Sequence, residues 1–449
     1  MQLSHTVSAV SVAFDDPNLV ASAGLVPVLA LAGRCGLHET TRAGLHVPSP
    51  NAAVKVAAVV AGMIAGADSI DDLDRLRHGG MGRLFSGIRA PSTLGTFLRA
   101  FTFGHVKQLD KVAATTLVNL AEHTRLLRDA DQICFVDVDD TVKPTYGYAK
   151  QGAGYGYTHV KGLNALIGTL STPTSAPVIA ATRLRKGSTS SPRGAASFVA
   201  STLATANRCG GSGLVVARMD SAFYTADVVA AIGRAGARFS ITARLNASVR
   251  AAIAVIPEQA WTPIHYPNAV WDDQAGGWIS DAEVAETTYT AFASRGISRQ
   301  VTARLIVRRV KLFPPAGADQ PALIEGHRHH AVFTDSPLTM LQAETCHRGH
   351  AIVEHVIADL KAGPLAHLPS GRFAANAAWL TLAGLAHNLT RAAGVLASAF
   401  HATARPATLR DQLINLPARI ASSARRITLH LPTGWRWEHP WRAVMTAVT

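Results

Sequence analysis

Between Gln132 and Ala243 short runs of β-branched and apolar residues alternate with stretches of helical period, and two of these runs close on an acid. The first is Ile133-Cys134-Phe135-Val136-Asp137-Val138-Asp139. The second runs from Gly213 through Leu214-Val215-Val216-Ala217-Arg218-Met219 to Asp220. Short, largely apolar runs of this kind predict buried strands. Further strands are predicted near Ala165 to Leu170, Val178 to Leu184 and Arg238 to Ala243, with helices over Phe198 to Ala206 and Ala226 to Ala235. Alternation of the two types predicts an α/β layer built on a mixed sheet.

The flanks differ in character. From about Ala52 to Glu122 the spacing is helical, with Val54, Ala57, Ala58, Ala61 and Ile64 on one face, a second helix through Ile70, Leu73 and Leu76, and a third opening at Pro91-Ser92-Thr93, where proline favours a helix start. Such a series suits a helix-turn-helix DNA reader or a bundle that serves only as packing. Residues 246–336 carry Trp261, Trp271 and Trp278 and two long β-like runs, Glu283 to Phe292 and Gln300 to Leu312, which predict a β-rich insertion. Helices resume from Leu338, through Ala351 to Lys361 and Ala374 to Ala393, before a strand-like run over Arg426 to Leu431. The expected division is 1–125, helical and DNA-binding; 126–245, first part of an α/β core; 246–336, insertion; 337–400, helical last part of the core; and 401–449, tail.

Composition narrows the class of partner. The 449 residues include 43 Lys and Arg against 30 Asp and Glu, a net charge of +13, so a polyanion is the natural partner. Cys35, Cys134, Cys209 and Cys346 lie far apart and form no CxxC pair, which argues against a disulfide framework or a cysteine zinc site and fits a reducing cytoplasm. No signal peptide or membrane-spanning run is read from the sequence. Gly210-Gly211-Ser212-Gly213 lacks the Lys-Ser/Thr of a phosphate-binding loop, which argues against nucleotide hydrolysis.

Asp139 and Asp220 at strand ends and Glu354 on a later helix can meet at one rim of the sheet. Hard divalent cations prefer carboxylate oxygens, and two of them held close together activate an attacking hydroxyl and stabilise the leaving oxygen of a phosphodiester. Acids at such ends are common, so spacing alone leaves a shared site open.

Taken in order, Asp137-Val138-Asp139-Asp140-Thr141, Arg218-Met219-Asp220-Ser221-Ala222-Phe223 and Val353-Glu354 through Asp359-Leu360-Lys361 resemble the DDE transposases of bacterial insertion sequences, and more narrowly insertion-sequence family thirteen-eighty in its actinobacterial form. Phe14 to Val20, Ala67 to Asp74, Ala90 to Gly95, Ala366 to Asn376 and Asn388-Leu389-Thr390-Arg391 extend the resemblance over nearly the whole chain. It implies a ribonuclease-H-like (retroviral-integrase-like) catalytic core with a β-rich insertion, preceded by an α-helical N-terminal domain. It further implies cleavage of terminal inverted repeats and strand transfer to target double-stranded DNA, two Mg2+ ions with Mn2+ as a substitute, and a homodimer on paired ends. Asp139, Asp220 and Glu354 would be the catalytic, metal-holding triad. A Tyr, Arg, Glu, Lys signature of related families falls on His347, His350, Glu354 and Lys361; only the last two match, and Arg348 lies two places from the arginine position. Those offsets predict one helix face aimed at DNA.

Several residues carry competing readings. Asp137 shares a strand face with Asp139 and reads as a satisfied acid. Arg183, Arg185, Lys186 and Arg193 read as a phosphate-contacting turn. His327-Arg328-His329-His330 reads as a solvated basic loop. The insertion's tryptophans suit a core, although in hairpin-forming relatives this region stacks an aromatic on an extruded base, for which Trp271 or Trp278 is the candidate. The alternatives in function are an inactive relative that binds DNA without cutting it and a ribonuclease-H-like nuclease with no joining step.

Overall fold

The computed structural model describes residues 1–146, 149–156, 158–265, 271–272, 277–278, 282–311 and 326–449. An exposed arm leads to strand β1 (Leu19–Val20) and helices α1 (Leu25–Arg34), α2 (Leu37–Gly44), α3 (Ala52–Ile64), α4 (Met81–Leu84), α5 (Pro91–Arg99) and α6 (Phe103–His123). The segment through Leu73 and Leu76 is a 3-10 helix, Asp71–Arg77, rather than an α-helix. Its start is tightened by the Asp72 carboxylate, which accepts from the Ser69 amide at 3.2 Å and the Ser69 hydroxyl at 2.8 Å. Pro91 stands at the start of α5, where its missing N–H costs nothing.

A ten-stranded sheet follows. Strands β2 (Ile133–Pro144), β3 (Gly154–Tyr155), β4 (Lys161–Thr172) and β5 (Ser175–Lys186) precede helix α7 (Ala195–Arg208), strand β6 (Leu214–Met219), helix α8 (Ala226–Arg234) and strand β7 (Arg238–Thr242). β2 is central. It pairs antiparallel with β4, which pairs antiparallel with β5; on its other side β6 and then β7 run parallel to it. Gly168 on β4 lets α7 approach, since a Cβ there would lie 2.7 Å from the Thr202 hydroxyl.

Residues 246–336 are rich in strands, and the long ones extend the sheet. Helix α9 (Ala247–Ala254) leads to strand β8 (Thr262–Ile264), a short isolated pair β9 (Trp271–Asp272) and β10 (Gly277–Trp278), and long strands β11 (Ala282–Ala291), β12 (Val301–Lys311) and β13 (His327–Thr334). β13 pairs antiparallel with β7, and the sheet continues β7-β13-β12-β11-β8. The physical reason is that β7 would otherwise end the sheet with unpaired backbone groups. The histidine run is therefore strand, not loop: it opens β13, and His329 lies against Trp261 with ring centroids 6.2 Å apart.

Helices α10 (Met340–Arg348), α11 (Ile352–Lys361) and α12 (Phe373–Ala397) come next, then α13 (Ala399–Thr403), α14 (Pro406–Leu409), strands β14 (Ala418–Ser423) and β15 (Arg426–His430), and α15 (Glu438–Val448). β1 pairs with β14, so the chain's two ends share a small sheet. α12 is buried over most of its length, packing against α1, α3, α5 and α6 and against β5. Its Asn388 side chain accepts from the Ile179 amide (2.8 Å) and donates to the Ile179 carbonyl (2.7 Å), satisfying β5 where its register with β4 slips. One hydrophobic core runs through the front helices, α12 and the sheet. Among the described residues no helix is long and apolar enough to cross a membrane.

The cysteines are free. Burial pushes the Cys134 and Cys209 thiols up to about 12, so native protein should react with a thiol reagent far more slowly than urea-unfolded protein. Equal rates in a thiol titration would contradict this packing.

Candidate active site

The site is built on two rungs of the β2–β6 pair. Parallel register sets Asp137 opposite Arg218 and Val138 opposite Met219. Strand alternation then puts Asp139 and Asp220, one step beyond, on the same face as Asp137 and Arg218. On the first rung Arg218 donates from Nε to Asp137 Oδ1 (2.8 Å) and from Nη2 to Oδ2 (2.7 Å), with the guanidinium 4.1 Å from the centroid of the Phe135 ring. Both side chains are buried. Burial raises the Asp137 pKa, but Arg218 and His350 outweigh it and hold the carboxyl below the usual range. Asp137 is thus a satisfied acid.

The second rung is the opposite case. Asp139 Oδ1 accepts from the Asp140 amide at 2.7 Å, and Asp220 caps the turn Ser221–Phe223 by accepting from the Ala222 amide at 3.0 Å. Burial pushes Asp139 up to about 6, with repulsion from Asp220 and Asp140 adding to it and His350 opposing it. Asp220 is raised as well, by burial first, with Arg244 among the groups that oppose the rise. Two carboxylates that disfavour each other's charge at adjacent strand ends, with hard oxygen donors, fit a divalent cation. Asp140 points the other way and bonds Arg185 (2.6 Å) and Asn164 (2.9 Å).

A helical segment crosses this face. His347 on α10 meets the Ser240 and Thr242 hydroxyls of β7, each at 2.9 Å, while His350 Nδ1 lies 3.0 Å from Asp137 Oδ1. The two rings stack at 6.4 Å. Between α10 and α11 the 3-10 turn Gly349–Ala351 interrupts the helix. Gly349 is required there, because a Cβ would lie 2.7 Å from Arg218 Nη1. The histidines therefore turn to the sheet. His347 is buried and its pKa is lowered to about 3, chiefly by that burial, so it is a neutral packing residue rather than a phosphate contact.

α11 packs on β2 and β4. His350 marks the level of Asp137, and the charge of Lys361, at the far end of α11, acts on Lys143 of β2. Glu354 lies in the first turn of α11. Its side chain is exposed. Among the described residues no group of three His, Cys, Asp or Glu side chains is arranged to hold a metal ion. Asp139 and Asp220 form the pair, and Glu354 does not close it into a three-acid cluster.

The other expected contacts separate. Arg185 is buried and donates to Asp140, Asn164 and the carbonyls of Ser191 and Arg193, so it braces β5 internally and does not present itself to a phosphate. Arg183 is held by the Gly194 carbonyl (2.9 Å) and the Ser197 hydroxyl (3.0 Å). Lys186 and Arg193 are exposed nearby. Arg348 bonds Glu344 at 2.9 Å, and Lys361 is exposed. Trp271 is 48% exposed and pairs in register with Trp278, whose side chain lies outside the described residues.

Two residues escaped the sequence reading. Arg218 anchors the first rung, and Arg244, exposed, donates to the Ser221 carbonyl at 3.0 Å beside Asp220. The signal for Arg218 was legible: Asp137-x-Asp139 and Arg218-x-Asp220, set side by side on parallel strands, pair an acid with a base and an acid with an acid. A family model described as transposase DDE domain group 1 matches residues 4–449. Among curated proteins, none matches the chain.

Proposed function

The chain belongs to the family described as transposase DDE domain group 1, and from that premise we propose that it cuts the ends of an insertion sequence and joins them to target DNA at the Asp139–Asp220 rung. The observation that carries this reading is the pair of raised, mutually repelling carboxylates on adjacent strand ends. The strand order β5-β4-β2-β6-β7, three antiparallel then two parallel, supports a ribonuclease-H-like core. Glu354, in the first turn of α11, is our candidate for the family's third acid. Magnesium, with manganese as a substitute, would be held by Asp139 and Asp220, and two such ions supply Lewis-acid stabilisation of attacking and leaving oxygens.

The chain's own residues do the remaining work. The Arg218–Asp137 pair fixes the strand ends and orients His350 through its Nδ1, leaving Nε2 to face a phosphate. Arg244 and Lys361 offer cations at opposite ends of the site. Trp271 or Trp278 is the candidate to stack on an extruded base, and a homodimer would bring paired ends together.

The reading is tested with a plasmid carrying the element and its flanks, incubated with purified protein and magnesium. Cleavage at the element boundary supports it; a plasmid left intact under all divalent metals overturns it. Because Asp139 must be ionised to hold a cation and its pKa is raised to about 6, nicking should fall as pH drops from 7 through 6. At sub-saturating magnesium, where proton and metal compete for the carboxylate, a flat profile down to pH 5 would count against Asp139 as a metal ligand.

A further inference from the structure

A groove of about 760 Å3 opens where three segments distant in sequence meet: Ser69–Asp71 and the start of α5, the end of β2, and the Ala366–Pro369 loop between α11 and α12. It lies on the path of the catalytic strand. Alternation along β2 and just past its end puts Thr141, Lys143 and Thr145 on the face that carries Asp139. From Asp139 to Lys143 the strand covers about 13 Å, or about four nucleotides of axial rise in a DNA strand.

Three observations point to an anion. Thr145 is only 7% exposed and lines the groove, yet among the described residues its hydroxyl has no hydrogen-bond partner, which costs free energy unless a ligand supplies one. α5 presents its N-terminus to the groove through Pro91 and Ser92, and among the described residues no side chain caps it, so the Ser92 backbone N–H and the positive end of the helix dipole lie at the opening. Lys143, Lys150 and Arg99 line the same space. Burial lowers the Lys143 pKa and the Lys361 charge lowers it further, with the Asp68 charge opposing. The opposing acids are Asp71, which also lines the groove, and Asp68, which is engaged by His367 at 3.0 Å.

We propose that this groove seats a backbone phosphate of the DNA strand whose scissile phosphate lies at the Asp139–Asp220 rung, gripped by the α5 N-terminus, the Thr145 hydroxyl and the Lys143 and Lys150 ammonium groups. Lys150 keeps one proton on the Leu368 carbonyl and has others to give. The proposal rests on the DNA-cleaving reading above and adds which part of the substrate is held, and where. Its effect is to fix the register of the strand relative to the carboxylate pair.

The test uses a fluorescein-labelled duplex spanning one element end and its flank, read by anisotropy at several salt concentrations, with nicking in magnesium measured alongside. Lys143→Gln should weaken binding about fivefold or more and reduce the slope of log affinity against log salt by about 1. Thr145→Val, which keeps the buried shape, should weaken binding without lowering the thermal midpoint. Ala90→Asp is the sharpest variant: its carboxylate would cap α5, so the thermal midpoint should hold or rise while DNA affinity falls. A methylphosphonate about four nucleotides from the cut should weaken the wild type and weaken Lys143→Gln less. If these variants bind like the wild type while the wild type nicks normally, the groove proposal fails and the active-site reading stands. If the wild type neither binds nor nicks the duplex, both fall together.

Discussion

Asp139→Asn is expected to abolish magnesium-dependent nicking, by more than about a thousandfold given the several kcal/mol that metal-bound oxygens contribute to such a step, and at the same time to stabilise the metal-free protein. The second half follows from the sign of the shift. Asp139 has its pKa raised from 3.8 to about 6, so the folded state binds that proton more tightly than the unfolded chain. The residue therefore adds stability as pH falls from 7 toward 4 and costs stability above 6. At pH 7.5 its charge costs about 3 kcal/mol at 1.36 kcal/mol per pKa unit, and asparagine removes that cost. Calorimetry should show a higher thermal midpoint for the variant without metal, and magnesium should raise the midpoint of the wild type only. A variant that is less stable, or that still nicks, would separate Asp139 from the metal.

Asp137→Asn should act in the opposite direction, through folding. Asp137 is 0% and Arg218 3% exposed, and the substitution leaves a buried guanidinium without its counter-charge, at a cost of about 3–5 kcal/mol. Against a typical total of about 5–15 kcal/mol, that should bring the urea midpoint down sharply. Replacing both partners by apolar residues, Asp137→Leu with Arg218→Met, should recover much of the loss, because no lone charge remains. Nicking should stay low in the double variant, since His350 loses the carboxylate that orients it. Wild-type urea resistance in the single variant would mean that the pair is not the anchor described above.

The strands that build the site were legible because each is a short apolar run with its acid at the end, and the helices over residues 195–208 and 226–234 emerged from their periodicity. Longer-range facts were not. That the strands from Ala282 to Thr334 extend the main sheet could not be read, because sequence shows that a strand exists but not which strand it pairs with; only β7's free edge decides that β13 joins it. His347 and Arg185 looked like DNA contacts because a cation or imidazole near an acid motif carries no mark of burial. Their partners, Ser240 and Thr242 for the first, Asp140 and Asn164 for the second, lie more than 20 residues away. Glu354 and Lys361 fall on one uninterrupted helix, as their spacing led us to expect.

α12 joins the front helices to β5 with scarcely any surface left to solvent. A chain organised in this way is not modular: the first 125 residues cannot be lifted off without baring the apolar side of α12. New recognition of DNA in such a protein therefore has to arise by point replacement on exposed helix faces, and engineers who wish to redirect it should graft residues rather than exchange whole front halves between relatives.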